Sequence, residues 1–147
     1  MKKLLLICLA AFAAASCTQE KQQSKPLYMW FDCEGNYATL SHPDSIRYYV
    51  SKIHDMGFTD VVVDVKSIMG ETLYKSDIAP YMGEWDGVTR PENYDLLGYF
   101  IEEGHKLGMR VHGSLNVFAG GHNFFDRGII YGDHADWQSQ VYTCLLY

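Results

Sequence analysis

The sequence predicts an α/β fold in which parallel strands are joined by helices. Three observations carry this: short apolar stretches at "LYMWFDCEG", "TDVVVDVKS" and "RVHGSLNVF", two segments of helical periodicity between them, and glycine or proline near the junctions. Strands separated by helices at this spacing form βαβ units with right-handed crossovers.

The first strand ends near Glu34. In "SHPDSIRYYVSKIHDMGF" Ser41 stands as N-cap with Asp44 three residues on, Pro43 in the first turn and Gly57 past the end. Ile46, Tyr49, Val50 and Ile53 fall on one apolar face of that helix. The second strand is followed by a long connection, residues 67 to 91, that contains Gly70, Pro80, Gly83, Gly87 and Pro91. "NYDLLGYFIEEGHKLGM" is the second helix, with Leu97, Phe100, Ile101 and Leu107 as its core side and Gly108 as its stop. The third strand completes the set.

Side-chain alternation points to one architecture within this class. Met29, Phe31 and Cys33 oppose Trp30, Asp32 and Glu34; Val61, Val63 and Val65 oppose Val62, Asp64 and Lys66; Val111, Leu115 and Val117 oppose His112, Ser114 and Asn116. Strands of an open sheet covered on both faces read as continuous apolar runs, which these do not. The second set grows more polar towards each C-terminal end, where a (β/α)8 barrel gathers its active site. The predicted fold is therefore a partial (β/α)8 TIM barrel, its first three or so βα units. No dinucleotide-type glycine fingerprint follows the first strand.

Composition bounds the function. The chain of 147 residues is acidic, with a net charge of −6, and lacks the basic stripe of a nucleic-acid binder. "MKKLLLICLAAFAAAS", residues 1–16, has the layout of a secretory signal. "AAASC" resembles the lipobox of bacterial lipoproteins, which implies lipidation at Cys17 and a membrane anchor in the cell envelope, facing the periplasm or set in the outer membrane. Residues 17–26 are a polar tether, and the predicted domain spans 27–147. Loss of Lys2 and Lys3 with the signal takes the charge from −6 to −8. Cys33 and Cys144 are too few for a disulfide framework, and a free, buried Cys33 is expected.

"GFTDVVVDVKSIMGETLYKSDIAPYMGEWDG" followed by "YDLLGYFIEEGHKLGMRVHGSLNVFAGG" resembles the glycosyl hydrolase-like 10 family of bacterial envelope and secreted proteins. The matching positions are Gly70, Glu71, Tyr74, Ser76 and Pro80, then Asp95, Glu103, His105, Gly108, His112 and Asn116. The resemblance covers roughly residues 28 to 140. Departures are Glu71 where aspartate is common, Gly104 in place of alanine, and no proline after Asn116. It implies a TIM-barrel domain that hydrolyses glycosidic bonds, in a bacterial envelope or environmental polysaccharide.

Such hydrolysis uses two carboxyl groups flanking the scissile bond, one of them held protonated. The inward-facing carboxyls are Asp32, Glu34 and Asp64, with Glu71 on the following loop. Lys66 beside Asp64 favours the charged form of that carboxyl, as a sugar-hydroxyl ligand or an internal ion pair. Glu71 and Tyr74 lie on the binding-face loop. His112 and Asn116 either contact sugar or satisfy one another. The substrate-binding set is Asp32, Glu34, Asp64, Lys66, Glu71, Tyr74, His112 and Asn116, with the catalytic acid and nucleophile unassigned. Trp30, Trp85 and Trp137 are candidate sugar platforms. His105 is a packing residue, and His42 and His54 are cap or surface residues. His122, Asp126, His134 and Asp136 lack a metal-ligand spacing, and no cofactor is expected.

Length sets the last expectation. A complete barrel takes about 250 residues, and the family-like sequence stops after "DHADWQSQVYT", with "CLLY" reading as an unrelated ending. The expectation is a fragment with two open sheet edges, prone to aggregate and with little or no hydrolase activity alone. Two alternatives stand beside it: a non-catalytic glycan-binding surface lipoprotein, and a small open-sheet binding domain complete in itself.

Overall fold

The computed structural model describes residues 25–132 and 134–138. The signal peptide, Cys17, most of the tether and Cys144 lie outside the described residues.

Strand β1 (Tyr28–Phe31) stops earlier than the sequence implies, because Asp32 begins a turn. Its Oδ1 accepts the N–H groups of Glu34 and Gly35, at 3.2 and 2.9 Å, a local bond that competes with strand pairing. A 3-10 turn at Thr39–Ser41 leads into helix α1 (Pro43–Asp55). The N-cap is His42, and it makes no side-chain cap bond. Ser41, the expected cap, instead donates its hydroxyl to Tyr37 O at 2.6 Å and accepts from Arg90 Nε at 2.7 Å. Pro43 fits the first turn because its missing N–H would be unpaired there in any case. Ile46, Val50 and Ile53 are buried as expected, while Tyr49 is exposed.

Strand β2 (Asp60–Lys66) is the centre of the sheet. The connection after it holds a short hairpin, β3 (Glu84–Trp85) with β4 (Val88–Thr89), turned through Asp86 and Gly87 at positive φ. Helix α2 (Leu96–Lys106) starts at Asp95, whose carboxylate accepts Gly98 N–H at 2.9 Å. Its buried side is Leu96, Phe100 and Gly104, and Ile101 is exposed. A Cβ on Gly104 would stand 2.7 Å from Val111 Cγ2, so the glycine lets α2 lie close against strand β5 (Arg110–Leu115). A second 3-10 turn covers Ala135–Trp137.

The sheet has three parallel strands in the order β1-β2-β5, with Trp30 opposite Val62 and Val62 opposite His112. Both helices pack on one face: Ile46, Val50, Ile53, Leu96 and Phe100 share a core with Val61, Val63 and Val65. Phe31 and Phe100 meet edge to face, with ring centroids 4.9 Å apart. The other face carries Tyr28, Trp30, Asp64, His112 and Ser114.

The expected partial (β/α)8 TIM barrel is therefore not what the chain forms. It is a small α/β fold with two helices and one open three-stranded sheet, and β1 and β5 are its edges among the described residues. The alternation that pointed to a barrel has a simpler cause. A sheet covered by helices on one face only shows the same apolar-polar rhythm as a barrel wall.

Residues 67–91 pack back onto the sheet end, burying Met69, Leu73 and Met82. Gly70, at φ +86, takes a left-handed conformation where a Cβ would meet Ile129 Cγ1 at 2.8 Å and Gly120 Cα at 3.0 Å. No described helix is long and apolar enough to cross a membrane.

Candidate functional site

At the carboxyl ends of the strands lies a cavity of about 350 Å3, lined by Trp30, Glu34, Asp64, Lys66, Ser114 and Asn116 among others. Its floor follows from the strand pleat. Trp30, Asp64 and Ser114 project from the open face of β1, β2 and β5, and the turn begun by Asp32 swings Glu34 over the strand ends.

Glu34 is half-buried and accepts Ile68 N–H at 2.9 Å. Burial, with the carboxylates of Asp32 and Asp64 nearby, holds its carboxyl above the usual glutamate range, against the opposing pull of Ile68 N–H and the Ser67 hydroxyl. Lys66 does not pair with Asp64. Its ammonium donates to the backbone carbonyls of Asn116 at 2.7 Å and Val117 at 3.4 Å, and to that of Ala119. Burial lowers its pKa from the usual lysine value.

Of the eight expected binding residues, the fold thus gathers Glu34, Asp64, Lys66 and Asn116 in one cavity. Asp32 is an exposed turn anchor outside its lining. Glu71 is held by Arg127 in a two-pronged ion pair, Nη2 to Oε2 at 2.6 Å and Nε to Oε1 at 3.0 Å. Arg127 also donates to Glu84 O at 3.1 Å, so this clasp ties the loop after β5 to the connection after β2. Tyr74 packs against the core.

His112 lies nearer the amino ends of the strands and pairs with Asp60, not with Asn116. Its Nε2 is 2.7 Å from Asp60 Oδ1. Asp60 is fully buried and also meets Arg110 Nε at 2.8 Å and the Thr59 hydroxyl at 2.6 Å. Hydrogen bonds from Arg110 above all, with those from Thr59 and His112, hold its carboxyl well below the usual aspartate range.

No family model matches the chain. Over 125 residues it is 28% identical to an S-layer-related protein of Niallia circulans, an alignment covering 81% of this chain and 8% of that protein. The chain thus spans less than a tenth of the length of the curated relative it matches.

Two structural clusters have weak sequence signals. Asp60 reads only as a polar residue at a strand start. Arg90 is 3% exposed, with its guanidinium 3.6 Å from the centre of the Tyr37 ring and 5.2 Å from that of Tyr94. Nothing in "VTRPEN" marks that arginine as internal. Cys33 is free and buried, and burial pushes its thiol up to about 12, so it packs as an apolar group. Among the described residues no group of three His, Cys, Asp or Glu side chains could hold a metal ion.

Proposed function

We propose that the cavity between Glu34 and Asp64 is a carbohydrate site, and that the protein is a glycoside hydrolase of the bacterial cell surface, acting on an envelope or environmental polysaccharide. The observation that carries this is the presence of two carboxyl groups in the lining of one cavity, with burial raising the pKa of the Glu34 carboxyl. In this reading Glu34 O–H gives its proton to the glycosidic oxygen as the C–O bond breaks. The Asp64 carboxylate faces the positive charge that develops on the sugar, and water supplies the new hydroxyl while its other proton returns to Glu34. Trp30, 61% exposed beside them, offers a flat platform for a sugar ring.

Two further observations support the reading. The motifs from Gly70 to Asn116 resemble the glycosyl hydrolase-like 10 family. The S-layer-related relative supports a cell-surface setting. Anchoring through a lipid on Cys17 is the finer form of that proposal, tested by a lipid label that Cys17→Ala abolishes.

A second reading is a surface protein that binds glycan without cleaving it. It is favoured by the Ile68 N–H donated to Glu34, which draws that carboxyl back towards the charged form. One experiment separates the two. The purified chain is incubated with soluble polysaccharides, and both bound sugar and newly released reducing ends are measured. Release that Glu34→Gln abolishes supports hydrolysis, and binding without release supports the second reading. No bound sugar and no release across the panel would refute both.

A further inference from the structure

We infer that a second sugar subsite adjoins the first, across the strip of residues 116–119, so that the ligand is an extended polysaccharide chain; this rests on the carbohydrate reading above. A separate cavity of about 380 Å3 is lined by Phe118, His122, Asn123, Tyr131 and Trp137, among others. Leu115 and Asn116 line the first cavity, and Phe118 and Ala119 line the second. Neighbouring residues of one strip of chain therefore line both cavities, and Lys66 fixes that strip by its three carbonyl contacts.

The lining suits a sugar ring. Phe118 is 96% and Trp137 65% exposed, so both leave a large aromatic surface in water. The Trp137 indole is stacked on His134, 4.0 Å between centroids and 11° between planes, which fixes its orientation. A pyranose offers a flat C–H face to such rings and hydroxyls to polar groups at their margin. Asn123 supplies both donor and acceptor. His122 Nδ1 accepts Phe124 N–H at 3.2 Å, so in the neutral ring Nε2 carries the proton and can donate.

Backbone hydrogen bonds tie down the loop that runs between the two aromatics. Gly121 N–H donates to Ile68 O at 3.1 Å, Ile130 N–H to Gly120 O at 2.7 Å and His122 N–H to Arg127 O at 2.9 Å. The Glu71–Arg127 ion pair closes the same loop. A loop already held in this way loses little conformational entropy when a ligand docks.

The test is calorimetric titration of the full chain with β-1,4-linked N-acetylglucosamine oligomers, from the disaccharide to the hexasaccharide, as probes of cell-wall-type glycan. Affinity is expected to rise about tenfold with length. Trp137→Ala should remove that gain and leave disaccharide affinity unchanged, while Trp30→Ala weakens every length. Phe118→Ala, at a side chain almost wholly in solvent, should repeat the Trp137→Ala result without touching the core. Equal affinity at all lengths, or a length gain that survives both variants, overturns the second subsite but leaves the first intact. No binding at any length sinks the carbohydrate reading and this inference together.

Discussion

Lys66 and Asn116, fifty residues apart in the chain, are joined by a hydrogen bond of 2.7 Å from the ammonium to the backbone carbonyl. With its contacts to Val117 and Ala119, this side chain holds the end of β5 and the strip that divides the two cavities. Lysine, expected to tune a carboxylate, instead positions backbone.

Lys66→Met keeps the aliphatic stem and removes three charge-assisted contacts. It should cost about 2 kcal/mol, read from the midpoint of urea unfolding. Limited proteolysis should show faster cleavage between residues 116 and 131. An unchanged midpoint with unchanged cleavage would show that the strip is held by other means.

Glu34→Gln keeps the acceptor for Ile68 N–H and removes the titration. A carboxyl whose folded pKa is raised binds more protons folded than unfolded between the two values. Its contribution is thus full below the unfolded value of about 4.3 and is lost as pH rises through the folded one. The variant should be at least as stable as the natural protein at neutral pH, with the difference closing in acid. A variant clearly less stable at neutral pH would mark Glu34 as structural.

Asp60 behaves in the opposite sense. Its folded pKa is depressed by Arg110, Thr59 and His112, so its stabilising effect is present above the unfolded value of about 3.9 and fades as pH falls towards the folded one. Asp60→Asn should be destabilised at neutral pH, and its gap to the natural protein should narrow as the pH is taken below about 4. Paired denaturation curves across that range check this; a gap that stays constant would separate Asp60 from the acid response.

Arg90→Lys tests the internal cage. The guanidinium stacks on Tyr37 and donates to Ser41 Oγ and to Tyr37 O at 2.9 Å, a planar fork that an ammonium cannot reproduce. The expected loss is about 2 kcal/mol, measured by thermal or urea unfolding. Retained stability would mean that charge alone, without the plane, suffices at this position.

The helices and the three strands were legible because their periods are strong and local. Ile46, Val50 and Ile53 mark α1, and Val61, Val63 and Val65 mark β2, whatever the rest of the chain does. The first helix caps at His42, one residue past Ser41, because the Ser41 hydroxyl is taken by Tyr37 O in the preceding turn and by Arg90, forty-nine residues away. The hairpin at Asp86-Gly87 carries a turn dipeptide, yet its strands of two residues are too short to show alternation.

The candidate site was legible in part for the same reason. Alternation puts Asp64 and Ser114 on one face, but it cannot say what stands opposite, and that missing information turned an open sheet into an expected barrel. The partners of Glu71 and His112, namely Arg127 and Asp60, lie more than fifty residues away in sequence, where no local pattern reaches.

The most direct measurement of the central claim is a carbon-detected NMR titration of the Glu34 side-chain carboxyl, with and without added N-acetylglucosamine hexasaccharide. The expected midpoint lies above that of an ordinary glutamate, and the resonance should move when sugar is added. A carboxyl that titrates at or below the ordinary value and ignores the sugar would contradict it.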